Sequence, residues 1–358
     1  PPRSTLFPYT TLFRSIGLRT LRYFFLVGIL VLEGCVSADL CLVSPMEGAL
    51  VELPYGASRQ HVVAINEAKR ELLTLMTRGD GACLRVIGFD GKKRLQYECP
   101  AVLHNYSISD GLAVTEDARL FAYKKQGTRD LYIYDCETGS DSLVYRMVAS
   151  EYQWDSIKEI VWLSDRRLLL FLNPDAGVGR ARAVVEVLDI ETKSHNVLLR
   201  PVYIPAISAT AVSGDKSKFA ICDGGGDNVV VRVFDVRTGT QLASSAKGLA
   251  YSVCWSPEGD LVGFVADKRL IKVLDVRTKR EKTLLALPSG YVCLRLAIGA
   301  GFFACDYQTE TVQKKTKNIK MVIHSIAKQE EVETIEAPFN GDWVVADHGQ
   351  KIVCEIGY

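Results

Sequence analysis

Short apolar runs that end in polar turns recur along most of the chain. Four segments align without gaps, and in each an aspartate follows a run with apolar residues on both faces of an extended strand. The segments are residues 131–139, 185–193, 231–239 and 271–279, with Asp135, Asp189, Asp235 and Asp275 at the shared position. This pattern predicts a strand buried on both faces. A threonine three residues later is typical of a tight turn in which the aspartate accepts backbone hydrogen bonds, so we assign the four aspartates to structure.

Fainter copies of the segment extend the repeat. They centre on Ser44, Asp90 and Ser325, so that seven repeat positions lie about 47 residues apart on average. Between them recurs a second pattern of apolar strand, polar turn and apolar strand, as in residues 162–171 and 255–264. Each period therefore holds four short strands. Repetition at this spacing predicts an all-β fold, a seven-bladed β-propeller with about 47 residues per blade.

The two ends of the chain are predicted to share the last blade. Residues 342–356 supply a first and a second strand, and residues 40–53 supply a third and a fourth. Pairing these strands would close the ring and remove sheet edges that would otherwise be exposed. We therefore expect residues 39–358 to form a single β-propeller domain whose last blade is closed by N-terminal strands.

One repeat resembles a known family. Residues 248–287 are similar to a WD-repeat, with Val253, the turn at 255–259, Asp267, and Leu274-Asp275 where that family has Trp-Asp. The Gly-His pair of the family is replaced by Gly248-Leu249, and none of the four aligned segments has Trp-Asp at that position. The resemblance implies a propeller and does not imply any one partner.

The first 38 residues do not fit the repeat. Residues 5–15 resemble a translated sequencing adapter, so residues 1–15 are interpreted as an adapter-derived artefact. Residues 16–38 combine a basic flank, a short apolar run and a small-residue exit, which predicts a signal peptide or membrane-targeting segment. Acylation of Cys35 is the alternative. The predicted localisation is secreted, periplasmic or membrane-anchored, with membrane contact only through this segment.

Charge and cysteine content change the choice of partners and compartment. The 43 Lys and Arg residues nearly balance the 42 Asp and Glu residues, which excludes nucleic acid as a general partner. The ten cysteines have no metal-binding spacing, and most lie in apolar runs. They are interpreted as buried free thiols, which suit a reducing compartment. A cytoplasmic location therefore stays open as the alternative.

The sequence contains no recognisable catalytic motif. It has no nucleophile elbow, phosphate-binding loop or dinucleotide fingerprint, and its five histidines are scattered. Residues 223–228 offer oxygen ligands suited to calcium but lack the terminal glutamate, and they are interpreted as a glycine-rich hairpin loop. We therefore predict no catalytic residue, no metal and no cofactor.

The loops predicted to join one blade to the next carry aromatic residues. In a propeller these loops share one face, and aromatic anchors are typical of protein-binding surfaces. The alternative is that the rings pack blade against blade. The candidate binding residues are Tyr106, Tyr152, Trp154, Tyr203, Tyr251, Tyr291 and Phe339.

These features favour a non-catalytic, exported or membrane-tethered scaffold that is monomeric and binds a protein partner. Two alternatives stay open. One is a cytosolic WD-repeat-type adaptor with an artefactual N-terminus. The other is a propeller enzyme with a metal or cofactor at the central channel.

Overall fold

Strands and the turns between them form the part of the chain that the structure describes. The computed structural model describes residues 39–44, 49–52, 60–66, 69–78, 81–90, 92–99, 112–124, 130–146, 154–174, 183–199, 207–223, 229–248, 250–309, 320–326, 331–336, 343–346 and 351–356. The adapter-like and signal-like segments predicted within residues 1–38 lie outside these ranges. None of the described segments is a helix with the length and apolar character needed to cross a bilayer.

Six four-stranded antiparallel sheets are each made of consecutive strands, and we call them blades 1 to 6. Blade 1 consists of β3 (Gln60–Asn66), β4 (Glu71–Arg78), β5 (Gly81–Gly88) and β6 (Lys93–Cys99). Blade 2 consists of β7 (Leu112–Val114), β8 (Leu120–Lys124), β9 (Leu131–Asp135) and β10 (Ser140–Tyr145). Blade 3 consists of β11 (Trp154–Ser164), β12 (Arg167–Pro174), β13 (Val184–Asp189) and β14 (His195–Leu199). Blade 4 consists of β15 (Ile207–Val212), β16 (Lys218–Asp223), β17 (Val230–Asp235) and β18 (Gln241–Ser244). Blade 5 consists of β19 (Ala250–Trp255), β20 (Leu261–Ala266), β21 (Leu270–Asp275) and β22 (Glu281–Ala286). Blade 6 consists of β23 (Tyr291–Ile298), β24 (Phe302–Thr309), β25 (Lys320–Ser325) and β26 (Glu331–Glu336).

The remaining described strands form a composite sheet from both ends of the chain. It contains β1 (Asp39–Ser44), β2 (Ala49–Glu52), β27 (Trp343–Ala346) and β28 (Lys351–Ile356), in the order β2-β1-β28-β27. Strand β1 pairs antiparallel with β28, with Leu42 opposite Val353. Consecutive strands therefore make six blades, and the predicted number of seven depends on counting this composite sheet as well.

The first strand of each blade lies at the centre of the molecule. Strand β7 contacts β3 and β11, β15 contacts β11 and β19, and β23 contacts β19. Strands that meet in this cyclic order line the central channel of a propeller, with the later strands of each blade further out. The prediction of an all-β β-propeller is confirmed.

Apolar side chains fill the seams between neighbouring blades. Leu169 and Phe171 of blade 3 pack with Phe219 and Ile221 of blade 4 in one fully buried cluster. Comparable clusters join blades 1 and 2, 2 and 3, 4 and 5, and 5 and 6. Burying one such side chain contributes roughly 1.5–3 kcal/mol, so these seams supply most of the energy that holds the described blades together.

The repeated aspartates cap the turn between the third and fourth strands, as predicted. In blade 4, Asp235 Oδ1 accepts hydrogen bonds from the backbone N–H and the hydroxyl of Thr238, both at 2.7 Å. The hydroxyl bond is the largest effect on this carboxyl and lowers its pKa. The next residue, Gly239, has a φ of 68°, and Lys279 occupies the equivalent place in blade 5 with a φ of 59°. The aspartate and the left-handed residue after the threonine together reverse the chain.

The structure corrects the repeat position in blade 1. Gly88, and not Asp90, pairs with the first residue of its second strand, Glu71. Asp275 occupies that place in blade 5, where it pairs with Leu261, and Ser325 occupies it in blade 6, as predicted. Asp90 instead lies in the following turn and forms a 2.9 Å ion pair with Arg94.

Most of the described cysteines are core residues. Cys83, Cys222, Cys293 and Cys305 are buried free thiols, and Cys136 and Cys254 are free and partly buried. Burial raises the pKa of Cys222 and Cys254 to about 12, so both stay protonated at neutral pH. The prediction of buried free thiols is confirmed for the four buried residues. The side chains of Cys35, Cys41, Cys99 and Cys354 lie outside the described part.

We predict that Asp235→Ala lowers the free energy of unfolding by about 1 kcal/mol, because the turn loses two side-chain hydrogen bonds. Urea denaturation followed by tryptophan fluorescence measures the change. Glu258→Ala, an exposed substitution in the turn between β19 and β20, is the control and should change stability by less than about 0.5 kcal/mol. An Asp235→Ala variant as stable as the wild type would contradict the capping role.

Candidate active site in the central channel

The first strands of blades 3 to 6 each have an irregularity in their pairing at about the same position along the strand. The pairing of β15, β19 and β23 with the second strand of each blade shifts register once near its start, and that of β11 shifts there twice, between Trp154 and Ser156 and between Ile157 and Glu159. In blades 3, 4 and 6 the residue after the shift pairs with the fifth residue of the second strand, namely Phe171, Cys222 and Asp306. In blade 5 the pairs on either side of the shift are Ala250 with Ala266 and Val253 with Phe264, so the shift lies at Val265, the fifth residue of β20. These shifts are β-bulges, which redirect side chains and are common beside active sites.

The bulged positions bring exposed side chains onto strands that are otherwise largely buried. Lys158 of β11, Ser208 of β15 and Leu294 of β23 are the extra residues, and all three are exposed. Because these strands are the innermost of their blades, we interpret this exposure as exposure to the channel. We call Lys158, Glu159, Ser208, Leu294 and Arg295 the bulge ring.

Glu159 has the most unusual electrostatic environment of the bulge ring. Burial raises the pKa of its carboxyl to about 7, and the positive charge of adjacent Lys158 lowers it by a smaller amount. A carboxyl with a pKa near 7 exchanges its proton at neutral pH, which suits a general acid or base. Glu159 is therefore the residue in this ring best suited to proton transfer.

Other members of the bulge ring carry positive charge or a hydroxyl. Lys158 is next to Glu159 in blade 3, exposed Arg295 follows the bulge of blade 6, and the Ser208 hydroxyl of blade 4 donates a hydrogen bond to the Cys222 carbonyl at 3.3 Å. Leu294, with 39% of its surface exposed, adds an apolar contact. Cations next to an ionisable carboxyl can orient a negatively charged substrate and stabilise charge that develops during proton transfer.

Glu186 is a buried carboxylate that lies away from the channel. Glu186 is 1% exposed in the third strand of blade 3, and its Oε2 lies 3.3 Å from Nδ1 of His195 on the outermost strand. Burial raises the pKa of Tyr145 in blade 2, and the charge and the hydrogen bond of Glu186 raise it further. These contacts belong to the seam between two blades, so we assign Glu186 to structure.

The described residues contain no group of three His, Cys, Asp or Glu side chains that could hold a metal ion. The segment with calcium-type residues is described only at its first residue, Asp223. Asp223 is buried and forms an ion pair with Arg232.

The aromatic residues predicted to form a binding face are placed in part. Trp154 and Tyr291 begin β11 and β23, and Tyr251 is the second residue of β19. The starts of these strands lie at the bulged end of the channel. Tyr106, Tyr152, Tyr203 and Phe339 lie outside the described residues, so their role in binding stays a prediction.

Sequence reasoning missed the bulge ring. A bulge is a feature of strand pairing, and the apolar pattern identifies a strand without showing which residue its partner skips. The available signal was Lys158-Glu159, two charged residues within an apolar first strand.

Comparison with known proteins identifies the architecture. The chain matches no family model and no curated protein. It is similar to a solved structure described as oligogalacturonate lyase in complex with manganese, with a TM-score of 0.57 and 15% sequence identity. The match covers 87% of this chain and 93% of that one. At this identity the likeness shows the fold, and no family match supports the WD-repeat resemblance.

The comparison corrects the predicted function. Sequence analysis favoured a non-catalytic scaffold because no catalytic motif was found. The solved structure that shares this architecture is an enzyme, which favours the propeller-enzyme alternative over a scaffold.

We predict that Glu159 makes folding stability depend on pH. Its folded-state pKa is raised from 4.5 to about 7, so its contribution is fully present below about pH 4.5 and is lost as the pH rises through 7. The loss amounts to about 3 kcal/mol at most. Urea denaturation at pH 5 and pH 8 should show that Glu159→Gln removes this part of the decline, whereas exposed Glu258→Gln leaves it unchanged. Parallel pH profiles for wild type and Glu159→Gln would contradict the raised pKa.

Proposed function

We propose that the chain is a propeller enzyme whose active site is the bulge ring, and that it performs acid–base chemistry on a carboxylate-bearing sugar. The observation that carries the proposal is Glu159, an ionisable carboxyl with a pKa of about 7 on an innermost strand. The likeness to an oligogalacturonate lyase supports the reaction class and the substrate class.

The chemistry of elimination matches the residues of the bulge ring. A lyase acting on a uronate removes the proton from the carbon next to the carboxylate, and the electron pair forms a double bond as the glycosidic C–O bond breaks. Glu159 in its ionised form takes that proton. Lys158 and Arg295 stabilise the negative charge that builds on the substrate carboxylate. The leaving oxygen is protonated by solvent or by the same glutamic acid.

Metal chemistry is not assigned to this site. The similar lyase structure holds manganese, but the described residues of this chain lack a set of three His, Cys, Asp or Glu ligands. The steps above involve only side chains of the bulge ring.

An assay on oligogalacturonate, with the unsaturated product followed by ultraviolet absorbance, tests the proposal. We expect Glu159→Gln to reduce kcat/KM by about 10²–10⁴-fold, the usual contribution of a general base. The wild-type rate should rise with pH through about 7, as Glu159 loses its proton. Glu258→Gln is the control and should keep full activity.

Two results would contradict the proposal. A folded wild-type protein that cleaves no uronate oligomer would exclude the reaction class. A Glu159→Gln variant with full activity and an unchanged pH profile would exclude Glu159 as the base.

We also propose that the composite sheet acts as a seventh blade that closes the ring. The support is that β27 contacts both β23 of blade 6 and β3 of blade 1, and that β1 pairs with β28 along five residue pairs. Closure would leave no seam of the propeller open to solvent.

We expect deletion of residues 39–52 to abolish cooperative unfolding, because the composite sheet would lose two of its four strands and the edge of β28 would be left unpaired. Circular dichroism during thermal denaturation measures the transition, and analytical ultracentrifugation detects aggregation. Deletion of residues 1–15 is the control. A 39–52 deletion that unfolds as cooperatively as the wild type would show that the composite sheet is dispensable.

A further inference from the structure

Two cysteines occupy directly opposed backbone positions in the strand pair that joins the two ends of the chain. Cys41 on β1 is directly opposite Cys354 on β28. In every other described strand pair, a cysteine is opposite a residue of another type, for example Cys254 opposite Gly263 and Cys305 opposite Leu296. The pair at the chain ends is therefore distinct among the described strands.

The backbone register satisfies the main distance requirement for a disulfide. Directly opposed residues in antiparallel strands have Cα atoms roughly 4.5–5.5 Å apart. Disulfides span Cα separations of roughly 4.4–6.8 Å. A disulfide between these two positions therefore needs no change in the register of the two strands.

The position would give such a bond a large effect. Strand β1 pairs with β28 although nearly the whole chain lies between the two cysteines. A cross-link between residues so far apart in sequence removes much of the freedom of the unfolded chain. It would also hold β1 in place during local opening of the composite sheet.

We propose that Cys41 and Cys354 form a disulfide that locks the composite sheet, with a small disulfide such as oxidised glutathione as the oxidant. One cysteine thiolate attacks a glutathione sulfur, and the S–S bond of glutathione breaks to give a mixed disulfide and one glutathione thiolate. The second cysteine thiolate then attacks the protein sulfur of the mixed disulfide and releases the other glutathione. The two protein sulfurs are oxidised, the two glutathione sulfurs are reduced, and the two thiol protons pass to the released thiolates.

Peptide mapping of the full chain tests the proposal directly. Folded protein is equilibrated with oxidised glutathione, alkylated under denaturing conditions and digested without reduction. Mass spectrometry should find the peptides of Cys41 and Cys354 joined, with the buried thiols of Cys222 and Cys305 alkylated. Recovery of Cys41 and Cys354 as separate alkylated peptides would overturn the proposal.

Thermal denaturation gives a second, independent readout. Reduction should lower the Tm of oxidised wild-type protein by about 5 °C. Cys41→Ser and Cys354→Ser should each abolish this difference, whereas Cys136→Ser should retain it. A redox-dependent Tm that persists in Cys41→Ser would assign the effect to other cysteines.

Discussion

Burial of both faces of each four-stranded sheet is the constraint on which the rest of the structure depends. A sheet covered on both faces needs apolar residues at consecutive positions, and β12 shows this with Leu168 to Leu172 all fully buried. Each blade can meet this need only by packing between two others, which arranges the sheets around a centre. The turns then have to be short and fully hydrogen-bonded, and Asp235 and its equivalents provide that in several blades.

The same constraint explains where chemistry can occur. Side chains within the seams are held in apolar contact, and a charged group there needs a dedicated partner, as Glu186 has in His195. The inner edge of each first strand, like the outer edge of each fourth strand, has no hydrogen-bonded neighbour in its blade. A bulge at this edge exposes a side chain without disturbing the seam, and four successive blades have one at the same height. The apolar seams are thus distinct from the bulged strands, which carry the exposed residues Lys158, Ser208 and Leu294.

The sequence predicted those features that repeat locally. The Asp-x-x-Thr turn and the doubly buried strand are contained in nine residues, so their recurrence identified the propeller. Asp90 was misassigned because Gly88 occupies the repeat position, and only strand pairing shows which of the two is equivalent to Asp275. The bulge ring was missed because its members come from three blades. The raised pKa of Glu159 depends on surroundings contributed by the folded chain, which no local pattern records.

The central claim is that the channel holds a carboxyl whose proton is exchanged near neutral pH. Carbon-13 NMR of glutamate-labelled protein, with the Glu159 signal assigned by its loss in Glu159→Gln, measures that titration directly. The account predicts a midpoint near 7, because burial raises the pKa of this carboxyl. A midpoint near 4.5, the ordinary value for glutamate, would show that Glu159 is an ionised, solvated side chain and would contradict the assignment of the bulge ring as an active site.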